Sequence, residues 1–188
     1  MFALELAKAF VCRNPTDGEA CDECSACLRA DKFSIPINAD KNDEFKKVFF
    51  SEHPDIGIVA AYKNNIFIDA IRSLEVESNF RPFEAKGRFF IIDEAEKLND
   101  AAANALLKTL EEPSPTSHIF LLTSRPNSLL QTIRSRCQTV RFAPIETKEI
   151  ENHLKATKKF APDDAALSAK SFAWKHRTSL EFRLKQIP

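Results

Sequence analysis

Between Arg88 and Pro113 the chain reads RFFIIDEAEKLNDAAANALLKTLEEP, and this stretch leaves few choices of fold. The apolar run from Phe89 to Ile92, rich in aromatic and β-branched residues, predicts a buried strand. It ends abruptly in two acids, Asp93 and Glu94. Asn99 and Asp100 then offer an N-cap to a helix beginning at Ala101. Ala102/Ala103, Leu106/Leu107 and Leu110 recur at the spacing of one buried helical face. Pro113 disfavours helical dihedrals at Glu112, so the stop is written in as well. A buried strand with carboxylates at its end, followed by a capped helix, is a unit of an open α/β sheet. In such sheets ligands bind at the C-terminal edge of the strands.

The rest of the chain extends the pattern. Ser117 to Ser124 (SHIFLLTS) predicts a second buried strand ending in hydroxyls. A short strand is expected around Ile56 to Ala60, and a helix over Phe67 to Phe80, where Ile68, Ile71 and Leu74 keep helical spacing. After the Pro126-Asn127 turn, Leu129 to Arg136 reads as a short helix and Gln138 to Phe142 as a strand. Phe2, Leu6 and Phe10 mark one apolar face of an N-terminal helix. Ala30 to Ser51 is polar and reads as loop or short helices. From Glu146 onward the composition shifts to polar helices, with a break at Pro162-Asp163-Asp164. Alternating strand and helix imply a parallel α/β sheet with a helical appendage.

Composition excludes several function classes. With 27 basic and 27 acidic residues the net charge is zero, so any contact with nucleic acid must be local. Only Gly18, Gly57 and Gly87 occur, and none lies in a G-x-x-x-x-G-K-[ST] pattern. A loop that cradles phosphate needs clustered glycines, and this chain does not contain one. No apolar run approaches the about 20 residues that span a membrane. The N-terminal MFALELAKAF carries Glu5 and Lys8 and no basic leader, so a signal peptide is not expected and the chain reads as cytoplasmic. Its first helix has no cap and no strand before it, as if the chain started inside a structural element. The 44% of hydrophobic residues, 16 Phe among them, suffice for a core in 188 residues.

Cys12, Cys21, Cys24 and Cys27 have the spacing C-x8-C-x2-C-x2-C. Four thiolates close a tetrahedral zinc shell, and closed four-cysteine sites are usually structural. The alternatives are disulfides, which fit poorly without secretion, free thiols, or an iron–sulfur cluster, for which no redox partner motif is present. Cys137 stands apart and reads as a small buried hydrophobe. Asp93 and Glu94 fit the Mg²⁺-binding and water-polarising acids of a nucleoside triphosphatase, or else two solvated carboxylates at a strand end. Ser124 suits a γ-phosphate contact or a simple turn cap. Arg136, after a short helix, is either a surface salt-bridge partner or an arginine that reaches outwards.

Several motifs together carry a resemblance. They are AAANALLKTLEEP at Ala101–Pro113, IRSRC at Ile133–Cys137, HPD at His53–Asp55, IDAIRSLE at Ile68–Glu75 and RPFEAKGRFFIIDEAEKLND at Arg81–Asp100. They resemble the AAA+ subunits of bacterial clamp loaders, the delta-prime type more than the gamma/tau type, over about residues 1 to 145. The resemblance implies a parallel five-stranded sheet with helices on both faces, then a helical lid and a collar. Residues 1–145 would be a partial core carrying the cysteine module at 12–27, and 146–188 the start of the lid. It implies zinc on Cys12, Cys21, Cys24 and Cys27, relic nucleotide-site acids at Asp93 and Glu94, and a sensor position at Ser124. It also implies an arginine finger at Arg136, acting on a neighbouring subunit's ATP.

The family's first strand and phosphate loop would precede Met1, so the chain is expected to be truncated at both ends. The strand at Gln138–Phe142 would then lack its sheet neighbour and leave unpaired edges. The missing loop argues against ATP and Mg²⁺ in this chain, and against ATPase or polymerase activity of its own. The partners implied are gamma/tau and delta subunits, with the sliding clamp and primed DNA reached through the complex and no membrane. Two other readings are an ATP-hydrolysing gamma/tau-type subunit and a zinc-stabilised interaction module unrelated to replication.

Overall fold

A computed structural model describes residues 2–36 and 42–142, positions 146, 148–149 and 152, and the backbone of 181–185. The predicted strand from Phe89 forms over Arg88–Ile92 (β3) and is buried at every position. On one side it pairs in parallel with Ile56–Val59 (β2), and on the other with Ser117–Thr123 (β4). Phe49–Phe50 (β1), which the polar composition of its surroundings concealed, adds an antiparallel edge to β2. Gly57 is required here, because a Cβ would come within 2.5 Å of Val48 Cγ1 and 3.2 Å of Phe90.

Alternate residues of the strands face two helical layers. Phe90 and Ile92 join Val59, Ile119 and Leu121 in one core, covered by Ile68–Ser78 (α3), Asp100–Glu111 (α4) and Gln131–Ser135 (α5). Phe89 and Ile91 join Ile56, Ile58, Phe120 and Leu122 in the other, covered by Phe2–Val11 (α1) and Ser25–Ala30 (α2). Asn99 caps α4 as its type predicts, its Oδ1 accepting from Ala102 N at 2.8 Å. Leu106, Leu110 and Ile133 are fully buried where α4 meets α5. Each such burial is worth about 1.5–3 kcal/mol.

Two expectations are corrected. The buried face of α1 is Ala3, Ala7 and Val11, not the Phe2–Leu6–Phe10 stripe one residue away. Alanines let the helix lie close on the sheet. The phenylalanines lie at its flanks, Phe10 stacked on Phe89 and His118 and Phe2 against Phe142. Second, Gln138–Arg141 (β5) is not left without a neighbour. Glu181–Lys185 forms a strand (β6) between β4 and β5 and pairs antiparallel with both, giving the order β1-β2-β3-β4-β6-β5. The sheet is therefore mixed and six-stranded, because an otherwise open slot of backbone donors and acceptors is filled by the chain's own later segment. The helices expected beyond Glu146 lie outside the described residues, apart from isolated positions. No helix among the described residues is long and apolar enough to cross a membrane.

Candidate functional site

Asp93 and Glu94 stand where the strand pattern puts them, at the C-terminal edge of β3. Asp93 donates its backbone N–H to Val59 O at 3.0 Å, and its carboxylate accepts from Glu94 N at 3.1 Å. Burial, with Glu94 and Glu96 adding repulsion, raises the Asp93 carboxyl above the ordinary range. Glu94 sits at φ 52°, a left-handed conformation uncommon outside glycine, where the chain turns into a short 3-10 segment. Its carboxylate pairs with Lys97 Nζ at 2.6 Å, and that ammonium also donates to Lys63 O.

Ser124 is in the same corner, but its hydroxyl already has a partner. Ser124 Oγ donates to Glu96 Oε1 at 2.7 Å. Burial works against the charge on Glu96, yet hydrogen bonds led by Ser124 hold its carboxyl below the usual value. The other oxygen, Glu96 Oε2, is buried without a partner. The sequence reading missed Glu96, although it sits three residues after Asp93 and its side chain is only 6% exposed.

Arg136 lies elsewhere. β5 and β4 run parallel, both antiparallel to β6, and the register sets Gln138 level with Phe120 and Arg141 level with Thr123. Arg136, two residues before Gln138, therefore stands near the N-terminal edge of the strands, across the sheet from Asp93 and Ser124. There its Nη2 meets Glu111 Oε1 at 2.7 Å and its Nη1 donates to Thr132 O at 3.0 Å. Glu111 was not singled out from sequence, although it belongs to the LLKTLEEP run. Cys137 is half-buried and packs against the core, in keeping with a small apolar role.

The four cysteines converge. Their Sγ atoms all lie within 4.8 Å of one another, with Cys12–Cys21 and Cys24–Cys27 at 3.5 Å. Thiolates around one zinc at about 2.3 Å stand about 3.8 Å apart, so the spread fits a tetrahedral ion, whereas a disulfide needs about 2.05 Å. Backbone N–H groups of Cys21 and Cys24 point at Cys12 and Cys21 sulfurs at 3.4 Å. The Arg13 and Cys27 amides draw the Cys24 thiol down to about 6, whereas burial pushes Cys27 up to about 12. The cluster is a donor set that can hold a metal ion.

Two ties join this knuckle to the sheet. Lys8, its side chain 5% exposed, meets Asp22 at 2.5 Å, Asp31 at 3.0 Å and Glu5 at 3.3 Å. Burial would lower its pKa, but the three carboxylates raise it well above the ordinary value. Arg29 clasps Glu84 with two bonds of 2.9 and 2.6 Å. The loop behind Glu84 is held by Asp55, the acid of the HPD run. Its buried carboxylate accepts from the amides of Phe83, Glu84 and Ala85 at 2.8, 2.8 and 2.9 Å. Beside it lies buried Arg88, its guanidinium 5.2–5.6 Å from the rings of Phe50, Phe83 and Phe90 and bonded to Glu77.

Sheet, acid corner and thiol knuckle together define the class as an α/β protein with a parallel core and a metal-competent insert on its first helix. The family follows from comparison: the model described as "DNA polymerase III, delta subunit" matches residues 1–146, and the chain belongs to that family. It is 34% identical to DNA polymerase III subunit delta' of Bacillus subtilis over 81% of this chain and 40% of that relative. Against subunit delta' of Escherichia coli it is 32% identical, over 74% of this chain and 37% of the relative. Subunit tau of Bacillus subtilis is 34% identical over 77% and 22%. The chain thus spans about two fifths of the length of these delta' relatives. A gamma subunit-related protein from Thermotoga maritima aligns with a TM-score of 0.43 and 37% identity, over 44% of this chain and 28% of that one.

Proposed function

We propose that this chain serves as a delta-prime-type clamp-loader subunit of the DNA polymerase III holoenzyme. In that role it helps place the sliding clamp on primed DNA and offers Arg136 to the ATP of a neighbouring gamma/tau-type subunit. The observation that carries the proposal is the location of Arg136 across the sheet from the acid corner. A guanidinium at the N-terminal edge of the strands cannot serve a nucleotide at the C-terminal edge of the same sheet. Arginines supplied in trans neutralise charge on the transferring phosphoryl group and are worth about 10³–10⁵ in rate. Asp93, Glu94 and Ser124 are read as nucleotide-site relics, their neighbours Lys97 and Glu96 already engaging two of them. The partners on this reading are gamma/tau and delta subunits, the clamp and primed DNA. The core runs to about residue 145 and takes back Glu181–Lys185 as β6, and the start of a helical lid is read between the two.

Cys12, Cys21, Cys24 and Cys27 would hold zinc, which supplies cross-linking rather than chemistry when bound. Lys8 and Arg29 anchor the knuckle to α1 and to the Asp55 loop. The test of the function is a clamp-loader complex assembled with Arg136→Ala in this subunit. DNA-stimulated ATP hydrolysis falls if the reading is right, and unchanged hydrolysis refutes the finger. A second reading, an ATP-hydrolysing subunit, is favoured by the likeness to tau. Mg²⁺-dependent ATP binding to this chain alone would support it.

A further inference from the structure

We infer that Glu111 is the positioning residue of Arg136: it aims the guanidinium before a nucleotide arrives. This rests on the finger reading of Arg136 given above. Arginine carries five N–H donors in one plane and no acceptor, so two fixed contacts set the plane. Here the contacts are Glu111 Oε1 at 2.7 Å and Thr132 O at 3.0 Å. They come from two different helices. Thr132 belongs to α5, where Ile133 O also accepts from Arg136 N at 3.1 Å and Thr132 O from Ser135 Oγ at 3.1 Å. Glu111 is the last residue of α4.

The base under both contacts is rigid. Leu106 and Leu110 of α4 are fully buried against Ile133 of α5, so the separation of the two anchors is fixed by core packing. Pro113 ends α4 just beyond Glu111, which keeps the carboxylate at a helix end rather than inside a longer rod. The guanidinium remains reachable, with side-chain exposures of 35% for Arg136 and 51% for Glu111. The bond to Thr132 occupies one of the five donors, and the ion pair with Glu111 leaves others for an incoming anion.

An exposed pair of this kind is too weak to sequester the arginine. A triphosphate offers several charged acceptors and forms stronger charge-assisted bonds. What the pair can do is remove unproductive rotamers from a long, flexible side chain. That is a gain in orientation, which appears in the rate of the chemical step rather than in substrate affinity. A carboxylate that merely stabilised the fold would instead leave kcat unchanged in correctly folded complexes.

The experiment compares Glu111→Ala, Glu111→Gln, Arg136→Ala and the double variant Glu111→Ala/Arg136→Ala, each assembled into the clamp-loader complex. The readouts are kcat and KM of DNA-stimulated ATP hydrolysis. Glu111→Ala is expected to lower kcat about fivefold, the scale of an exposed ion pair, with KM within about twofold. Glu111→Gln keeps an oxygen beside Nη2 without the charge and should recover part of the loss. On the Arg136→Ala background, removing Glu111 should have no further effect. Unchanged kcat for Glu111→Ala beside a slowed Arg136→Ala overturns this inference and leaves the finger standing. An additive loss in the double variant also overturns it. If Arg136→Ala is itself as fast as the parent, the finger reading fails and the inference with it. Should Glu111→Ala fail to assemble, a fully active Glu111→Lys complex overturns the inference, and a slowed one with unchanged KM supports it.

Discussion

Replacing Asp55 by Asn should cost more stability than any surface change of equal size. Asp55 is fully buried, and its two oxygens accept three backbone N–H groups at 2.8–2.9 Å. Oδ1 takes Phe83 N, and Oδ2 takes Glu84 N and Ala85 N. An asparagine oriented to keep two of these bonds must turn its NH₂ towards the third donor. One charge-assisted bond is then lost, worth about 1.5–3 kcal/mol, and the survivors weaken to neutral bonds. Buried Arg88 also loses a counter-charge 3.8 Å from its otherwise unpartnered Nε, though Glu77 Oε2 remains at 3.1 Å. Breaking a buried charge pair typically costs about 3–5 kcal/mol. The loop can partly relax into water, since Phe83 is 71% exposed, so the lower end applies and the expected loss is about 3 kcal/mol. Urea denaturation followed by far-UV circular dichroism measures it, with the slope m compared between variants. Hydrogen exchange at the amides of Phe83, Glu84 and Ala85 should rise in parallel. A loss under about 1 kcal/mol at unchanged m, with those amides still protected, would refute the account. Glu84→Ala is the control. It removes the partly exposed clasp to Arg29 and a longer exposed pair with Arg13, and should cost about 1 kcal/mol.

Asp93→Asn should stabilise the chain at neutral pH. The Asp93 carboxyl is raised in the folded state, so the fold holds a proton that the unfolded chain releases. Stability therefore falls as pH climbs from about 4 through the raised value, and the substitution should remove that deficit. Thermal melts at pH 7 and near pH 4 test it, and a variant that melts lower than the parent at pH 7 refutes it. Metal removal gives a further test: the purified chain should carry about one zinc ion, and a strong chelator should lower its melting temperature. A zinc content near zero in protein purified without chelators removes the metal from the account.

Much of the core was legible because its signals are local. The strand at Phe89, the cap at Asn99 and the stop at Pro113 each act within a few residues, and β2, β3, β4 and β5 formed close to where alternation and turns put them. The features that escaped the sequence depend on distance. Nothing near Phe49 announces a two-residue edge strand, and nothing near Glu181 announces pairing with Thr123. The face of α1 was misread because two apolar stripes lie one residue apart, and only the sheet decides that alanines go inside. The acids, hydroxyl, arginine and cysteines were readable as types. Their partners were not, since Glu96 reaches Ser124 across 28 residues and Glu111 reaches Arg136 across 25.

The Arg88–Pro113 stretch acquires its meaning from those partners. β3 carries Asp93 and Glu94 to one edge of the sheet. α4 then runs back, its 12 residues spanning about 18 Å, and leaves Glu111 under Arg136 at the other edge. One strand–helix unit therefore sets the separation between the acid corner and the arginine, two features that in a ring of subunits would face different neighbours. Adding or removing a single residue within α4 would swing Glu111 by about 100° around the helix and uncouple it from Arg136 without touching either acid. The length of α4, fixed at its start by the Asn99 cap and at its end by Pro113, is thus as much a property of the arginine's site as the arginine itself.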